Sequence, residues 1–147
     1  MNTFETHPDF VTSFTPLQMF EKGIFGNAYF QINTKLPTEF LEGLQKLGYK
    51  HLRVPNIQAN YYAIDCGSPL SWWLEKGLIH EDDPNGWVEW YIKFYYGRRH
   101  PDDNRQIGRY KAFIARHTGI LQKHPNSQKT KQNLLQWAWD YSKPLYF

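Results

Sequence analysis

The sequence predicts a mainly α fold: a single compact helical domain of about five to six helices, with at most a short strand or hairpin, spanning residues 1–147. Three observations predict it. Apolar residues recur at i, i+3, i+4 and i+7 in the segment richest in aromatic side chains. Helix starts are written in Thr, Ser, Asp and Pro before the periodic segments, and stops in Gly after them. A chain of 147 residues suits one core, and strand signals are thin.

The elements follow in order. "FTPLQMFEKGIFG" reads as a short helix with Thr15 as N-cap, Pro16 in its first turn and a glycine at its end. "GIFGNAYFQI" places paired glycines among aromatics, as in a close-packed turn or short strand. "LPTEFLEGLQKLG" gives a second short helix ending at Gly48. The stretch that follows is irregular; "NYYAID" offers one strand, and Pro55 argues against a long one. "SPLSWWLEKGLI" supplies Ser68 as cap, Pro69 at the first position and Gly77 as stop. "DDPNGWVEWYIKFYYG" is the clearest helix, capped by Asp83, with Pro84 first and Gly97 last. Its stripe is Trp87, Trp90, Tyr91, Phe94 and Tyr95.

A further helix, Asp103–Thr118, is capped by Asp102 or Asp103 and carries the apolar stripe Ile107, Tyr110, Phe113, Ile114. Arg105, Arg109 and Arg116 fall on a different stripe, because their spacings of four and seven bring them to one face. The last helix, in "NSQKTKQNLLQWAWDYS", turns Leu134, Leu135 and Trp139 inward. Lys129 and Lys131 stand near its start, against the helix dipole, a placement that an anion nearby would explain.

Composition bounds the function. Six Trp, ten Tyr and ten Phe exceed what so small a core easily hides, so part of this surface is expected in a groove, a pocket or a partner interface. The lone Cys66 rules out an intrachain disulfide and favours a reducing compartment. With no basic-then-apolar leader and no apolar run of membrane-spanning length, an intracellular protein, cytoplasmic or nuclear, with no membrane partner is expected. Residues 1–85 hold six Lys/Arg and ten Asp/Glu, whereas residues 86–147 hold eleven and four. That asymmetry points to a polyanionic partner or an acidic ligand.

The segment "DPNGWVEWYIKFYYGRRHPDDNRQIGRY", together with "GIFGNAYF", "CGSPLSWWLEKGLI" and "KQNLLQWAW", resembles the pattern of an uncharacterised protein family. The shared features are a GW-aromatic helix, then GRR, an Asp pair, RQI and an arginine followed by an aromatic. The resemblance covers most of the chain and implies that these segments share one compact domain. It implies no activity.

The junction from Gly97 to Tyr110 is the candidate site. Asp102 and Asp103 have two compatible roles: capping the helix while pairing with Arg98, Arg99 or Arg105, and orienting those arginines toward an external phosphate or carboxylate. Trp87, Trp90, Tyr91 and Phe94 read chiefly as core, with Trp90 also a stacking candidate. Tyr95 and Tyr96, beside the arginines, are the stronger candidates for stacking on a base or sugar. Catalysis has weak candidates in Asp102, Asp103 and His100, and whether the chain is an enzyme is left open. His80, Glu81, Asp82 and Asp83 cluster in sequence, but HExxH and HxH are absent, so no metal is expected. Cys66 beside Asp65 reads as a small buried residue in preference to a nucleophile. No cofactor is expected, since Walker A, GxGxxG and GxSxG patterns are all missing.

The leading expectation is a nucleic-acid-binding domain. Arg98, Arg99, Arg105, Arg109, Arg116, Lys129 and Lys131 would meet phosphates or base edges, and Gln106 would read a base edge. Two basic helices separated by a turn have the outline of a helix-turn-helix, but their spacing is too loose to define that motif. The alternative is an enzyme or binding protein for a small anionic ligand, such as a nucleotide or modified nucleoside, held by the GRR/DD/RQ cluster. A third reading is a protein–protein adaptor with an exposed Trp/Tyr/Arg surface.

Overall fold

The computed structural model describes residues 2–25, 34–48 and 75–147. These form a mainly helical structure with one small antiparallel sheet. Strand β1 (Asn2–Phe4) pairs with β2 (His7–Thr12). Helices α1 (Pro16–Glu21), α2 (Thr38–Lys46), α3 (Trp87–Tyr95), α4 (Asp103–Lys123) and α5 (Gln128–Gln136) follow. The segment "NYYAID", Cys66, Ser68 and Pro69 lie outside the described residues, as does most of the turn expected after Gly23.

The hairpin has a register break that serves the core. Thr3 pairs with Val11 and Phe4 with His7, so Pro8, Asp9 and Phe10 bulge from the ladder. Pro8 has no N–H to give it, which makes this a cheap place to interrupt pairing. The bulge delivers Phe10, fully buried, into the aromatic cluster. Its ring stacks on Phe4 at 5.1 Å and meets Tyr110 edge-on at 5.2 Å. Burial of such a ring contributes on the order of 2 kcal/mol.

Thr15 caps α1 in a reciprocal capping box with Gln18, and Pro16 occupies the first turn. Helix α2 begins after Pro37 without a side-chain cap and ends where Gly48 takes φ +88°. Gly43 on α2 faces Leu17 of α1 so closely that a Cβ would fall 2.5 Å from Leu17 Cδ1. Ser127 caps α5 by accepting from the Thr130 amide.

Three boundaries differ from the sequence reading; one is the last helix, which ends at Gln136, so that Trp139 is buried from the segment after α5 and not from the helix. Helix α3 starts at Trp87 behind Gly86 (φ +94°), not at Pro84 behind an Asp83 cap. Asp83 is fully buried, and its carboxylate is taken by Arg98 and Lys93. Charge pairing at long range outcompetes the local cap. Helix α4 runs five residues beyond Thr118, to Lys123. Its last fully buried residue is Ile114; beyond it the helix is more exposed, although His117 stacks on Phe113 and Leu121 still packs at the edge of the core.

The core sits where the hairpin, α3, α4 and the segment after α5 converge. Trp90, Tyr91, Phe94, Tyr110, Ile114, Leu134 and Trp139 are all fully buried. Five rings form a stack in series. Tyr110 lies parallel to Trp87 at 5.3 Å, Trp87 on Trp137 at 4.8 Å, Trp137 on Phe113 at 4.4 Å, and Phe113 on His117 at 3.8 Å. The aromatic residues in excess of an ordinary core are therefore largely consumed inside, among the described residues. Tyr91 shows how: its hydroxyl donates to the Phe14 carbonyl and meets Thr12 Oγ1 at 2.8 Å, and burial pushes its ionisation upward.

Candidate functional site: the arginine–aspartate junction

The junction between α3 and α4 is an ionic cluster built around the aromatic helix. Glu89 is fully buried on α3 and satisfied from four directions. Its Oε1 accepts from the Asn85 amide at 3.2 Å and side chain at 2.7 Å. Its Oε2 accepts from Lys93 Nζ at 2.6 Å and Thr34 Oγ1 at 2.9 Å. Lys93 also lies 3.1 Å from Asp83, whose two oxygens receive Arg98 Nη1 and Nη2 at 2.8 and 2.7 Å. Two carboxylates and two cations thus balance each other in a nearly dry site. A buried charge persists only when it is paired and hydrogen-bonded in this way.

The other arginines are also occupied. Arg105 forks onto Asp102, Nε to Oδ1 at 2.5 Å and Nη2 to Oδ2 at 2.8 Å. Burial works to raise the Asp102 carboxyl, but the bonds and charge of Arg105 and the Gln106 amide outweigh it and hold it below the usual range. The same pair raises Arg105. Arg109 donates to the Leu78 carbonyl at 3.1 Å and to Gln106 Oε1 at 2.8 Å. Arg99 donates to Thr6 Oγ1, Phe94 O and Arg98 O, and lies 3.8 Å over the Phe94 ring.

The acids and aromatics behave likewise. Asp102 stands at the N-cap position of α4 but makes no side-chain cap bond. Asp103 accepts from the His100 amide at 2.9 Å and from Trp90 Nε1 at 2.8 Å, tying α3 to the start of α4. Trp90 is fully buried and Gln106 almost so, which withdraws the one from base stacking and the other from base-edge reading. Tyr95 and Tyr96 are half-buried; they meet edge-on at 5.0 Å and pack against Phe4 and Phe40 respectively. Arg116 and Lys129 stand exposed and Lys131 half-exposed, away from the junction.

His80, Asp82 and His100 bring one potential ligand atom each within 4.8 Å of one another. His100 Nε2 and Asp82 Oδ2 are 2.7 Å apart, and this hydrogen bond is the main reason the Asp82 carboxyl is lowered. The Nδ1 atoms of His80 and His100 accept the amides of Asp82 and Asp102, at 3.0 and 3.1 Å. An amide donor on Nδ1 leaves the ring proton of neutral His100 on Nε2, facing Asp82. A metal ligand needs that lone pair free, so the donor set fits a His–Asp hydrogen bond better than a divalent cation.

Sequence reading missed the partners more than the residues. Glu89, Lys93 and Thr6 were not singled out; the i, i+4 spacing of Glu89 and Lys93 could have marked their pair, whereas nothing local marks Thr6. Arg99 and Thr6 are 93 positions apart. The fold and site define a class: a mainly helical protein with an aromatic core and an arginine-rich junction largely neutralised from within. Comparison with protein-family models, with curated proteins and with solved structures returned no significant match.

Proposed function

We infer that the protein binds nucleic acid, and that its contact surface is the solvated hairpin of α4 and α5 in preference to the junction itself. One observation carries the reading. Residues 104–147 contain eight Lys/Arg and a single acid, Asp140. Arg105 and Arg109 are engaged at the junction, but Lys111, Arg116, Lys123, Lys129, Lys131 and Lys143 have no carboxylate partner among the described residues. Unpaired cations clustered on two helices joined by a short turn produce the positive potential that a phosphate backbone seeks.

Arg116 and Lys123, both exposed, are seven residues apart on the C-terminal half of α4, so they share a face. Lys129 and Lys131 begin α5, whose first turn carries no acid. Such contacts position a backbone without reading sequence, since the one base-reading side chain proposed, Gln106, is enclosed. The adaptor reading has less support: Trp87, Trp90 and Trp139 are buried.

Fluorescence anisotropy with labelled single- and double-stranded DNA and RNA across a salt series tests the proposal. With about four phosphates neutralised, log affinity falls against log salt with a slope between about −3 and −4. Absence of binding at low salt would overturn it.

A further inference from the structure

We propose that a second site, separate from the basic hairpin, binds the phosphate group of a small molecule in the cleft between the β1–β2 turn and the entry to α4. This cleft has a volume of about 420 Å³ and brings together Thr6, His7, Arg99, His100, Asp103 and Asn104. Two chain segments some ninety residues apart supply its walls.

Arg99 carries the argument. Arg98 and Arg105 each face a carboxylate, whereas every partner of Arg99 is neutral. Nε donates to Thr6 Oγ1 at 2.7 Å, and Nη1 donates to the carbonyls of Phe94 and Arg98, both at 2.9 Å. The Phe94 ring lies 3.8 Å beneath the guanidinium. Three bonds and a ring face therefore fix the side chain and leave its charge uncompensated by any carboxylate among the described residues. A guanidinium has five N–H donors. The three bonds use Nε and both hydrogens of Nη1, and the pair on Nη2 has no partner there.

The cleft adds donors to that fork. Asn104 is exposed and its amide has no partner among the described residues. His7 uses Nδ1 with Thr6 Oγ1 at 3.0 Å, leaving Nε2 to a ligand. The acid in the wall, Asp103, is nearly buried and has both oxygens engaged by the His100 amide and Trp90 Nε1. His100 is likewise engaged at both ring nitrogens. The unengaged donors of Arg99, Asn104 and His7 match the oxygens of a tetrahedral dianion, and a fixed guanidinium loses little freedom on binding it. The volume leaves room for the group that carries the phosphate.

The test is isothermal titration calorimetry at low ionic strength with inorganic phosphate and, separately, acetate. Wild type, Arg99→Gln, Asn104→Ala and Arg116→Gln are compared, with circular dichroism as the folding check. The expected result is saturable phosphate binding to wild type and to Arg116→Gln, and weaker binding of acetate. Loss of a charge-assisted hydrogen bond weakens phosphate binding roughly ten- to hundredfold in Arg99→Gln. Asn104→Ala, an exposed substitution that spares the core, weakens it several-fold and keeps the test decisive if Arg99→Gln fails to fold. No saturable heat with phosphate, or binding unchanged in Asn104→Ala and in folded Arg99→Gln, would overturn the proposal. Because Arg116→Gln belongs to the other surface, failure of the nucleic-acid reading leaves this result interpretable.

Discussion

Arg98 grips Asp83 with two parallel hydrogen bonds, 2.8 and 2.7 Å long, and the carboxylate so held is fully buried. This pair closes the loop before α3 onto the loop after it. Lys93 reaches the same carboxylate from the last turn of the helix, so the loops on both sides of α3 and its C-terminal turn are fastened through one side chain.

Removing the carboxylate charge strands two cations. Asp83→Asn is expected to cost about 3 kcal/mol, in the range for breaking a buried pair. For a chain of this size that corresponds to a fall in Tm of roughly 6–12 °C. Thermal unfolding of Asp83→Asn, Arg98→Gln and the double variant checks it. The double variant should lose less than the sum of the singles, because each single change leaves the other partner uncompensated. Strict additivity would contradict the coupling.

Trp90→Phe keeps most of the ring volume and deletes one donor. Asp103 Oδ1, nearly buried, then loses the bond it accepts at 2.8 Å. A destabilisation of about 1–3 kcal/mol is expected in urea titrations. A neutral substitution would mean that the bond does not link α3 to α4.

How far the sequence reached can be judged from these same residues. The stripe Trp87, Trp90, Tyr91, Phe94 announced a buried helix face because helical periodicity is a local property, and all four are buried. Thr15 and Pro16 announced α1 for the same reason. Asp83 was misread as a cap because its true partner, Arg98, is fifteen residues away and the choice between cap and ion pair is made by tertiary packing. The hairpin was not located because Pro8 and the register break erase the alternation that marks a strand. The charge density from Gly97 to Tyr110 was visible, but its meaning was not. A sequence displays charges without their distances, and here much of the compensation is internal.

Acid should expose one of those pairs. Asp102 is held below its ordinary value chiefly against burial by Arg105. A carboxylate with a depressed folded value contributes stability that is complete above its unfolded value, about 3.9, and is lost as pH falls through the folded one. Stability measured by chemical denaturation should therefore decline below about pH 4 in wild type. Asp102→Asn, less stable at neutral pH, should show a shallower decline over that range. An unchanged acid profile would remove Asp102 from the account.

The central claim is that the junction arginines hold the fold while the cations of the α4–α5 hairpin meet the ligand. The most direct measurement compares Arg105→Gln with Arg116→Gln/Lys123→Gln/Lys129→Gln in the anisotropy salt series, with Tm recorded for each. The account predicts that Arg105→Gln lowers Tm and leaves nucleic-acid affinity of the folded protein near wild type. It predicts that the triple variant keeps its Tm and loses about two to three units of salt slope, one for each phosphate contact removed. Wild-type affinity in the triple variant, or loss of binding in a folded Arg105→Gln protein, would contradict it.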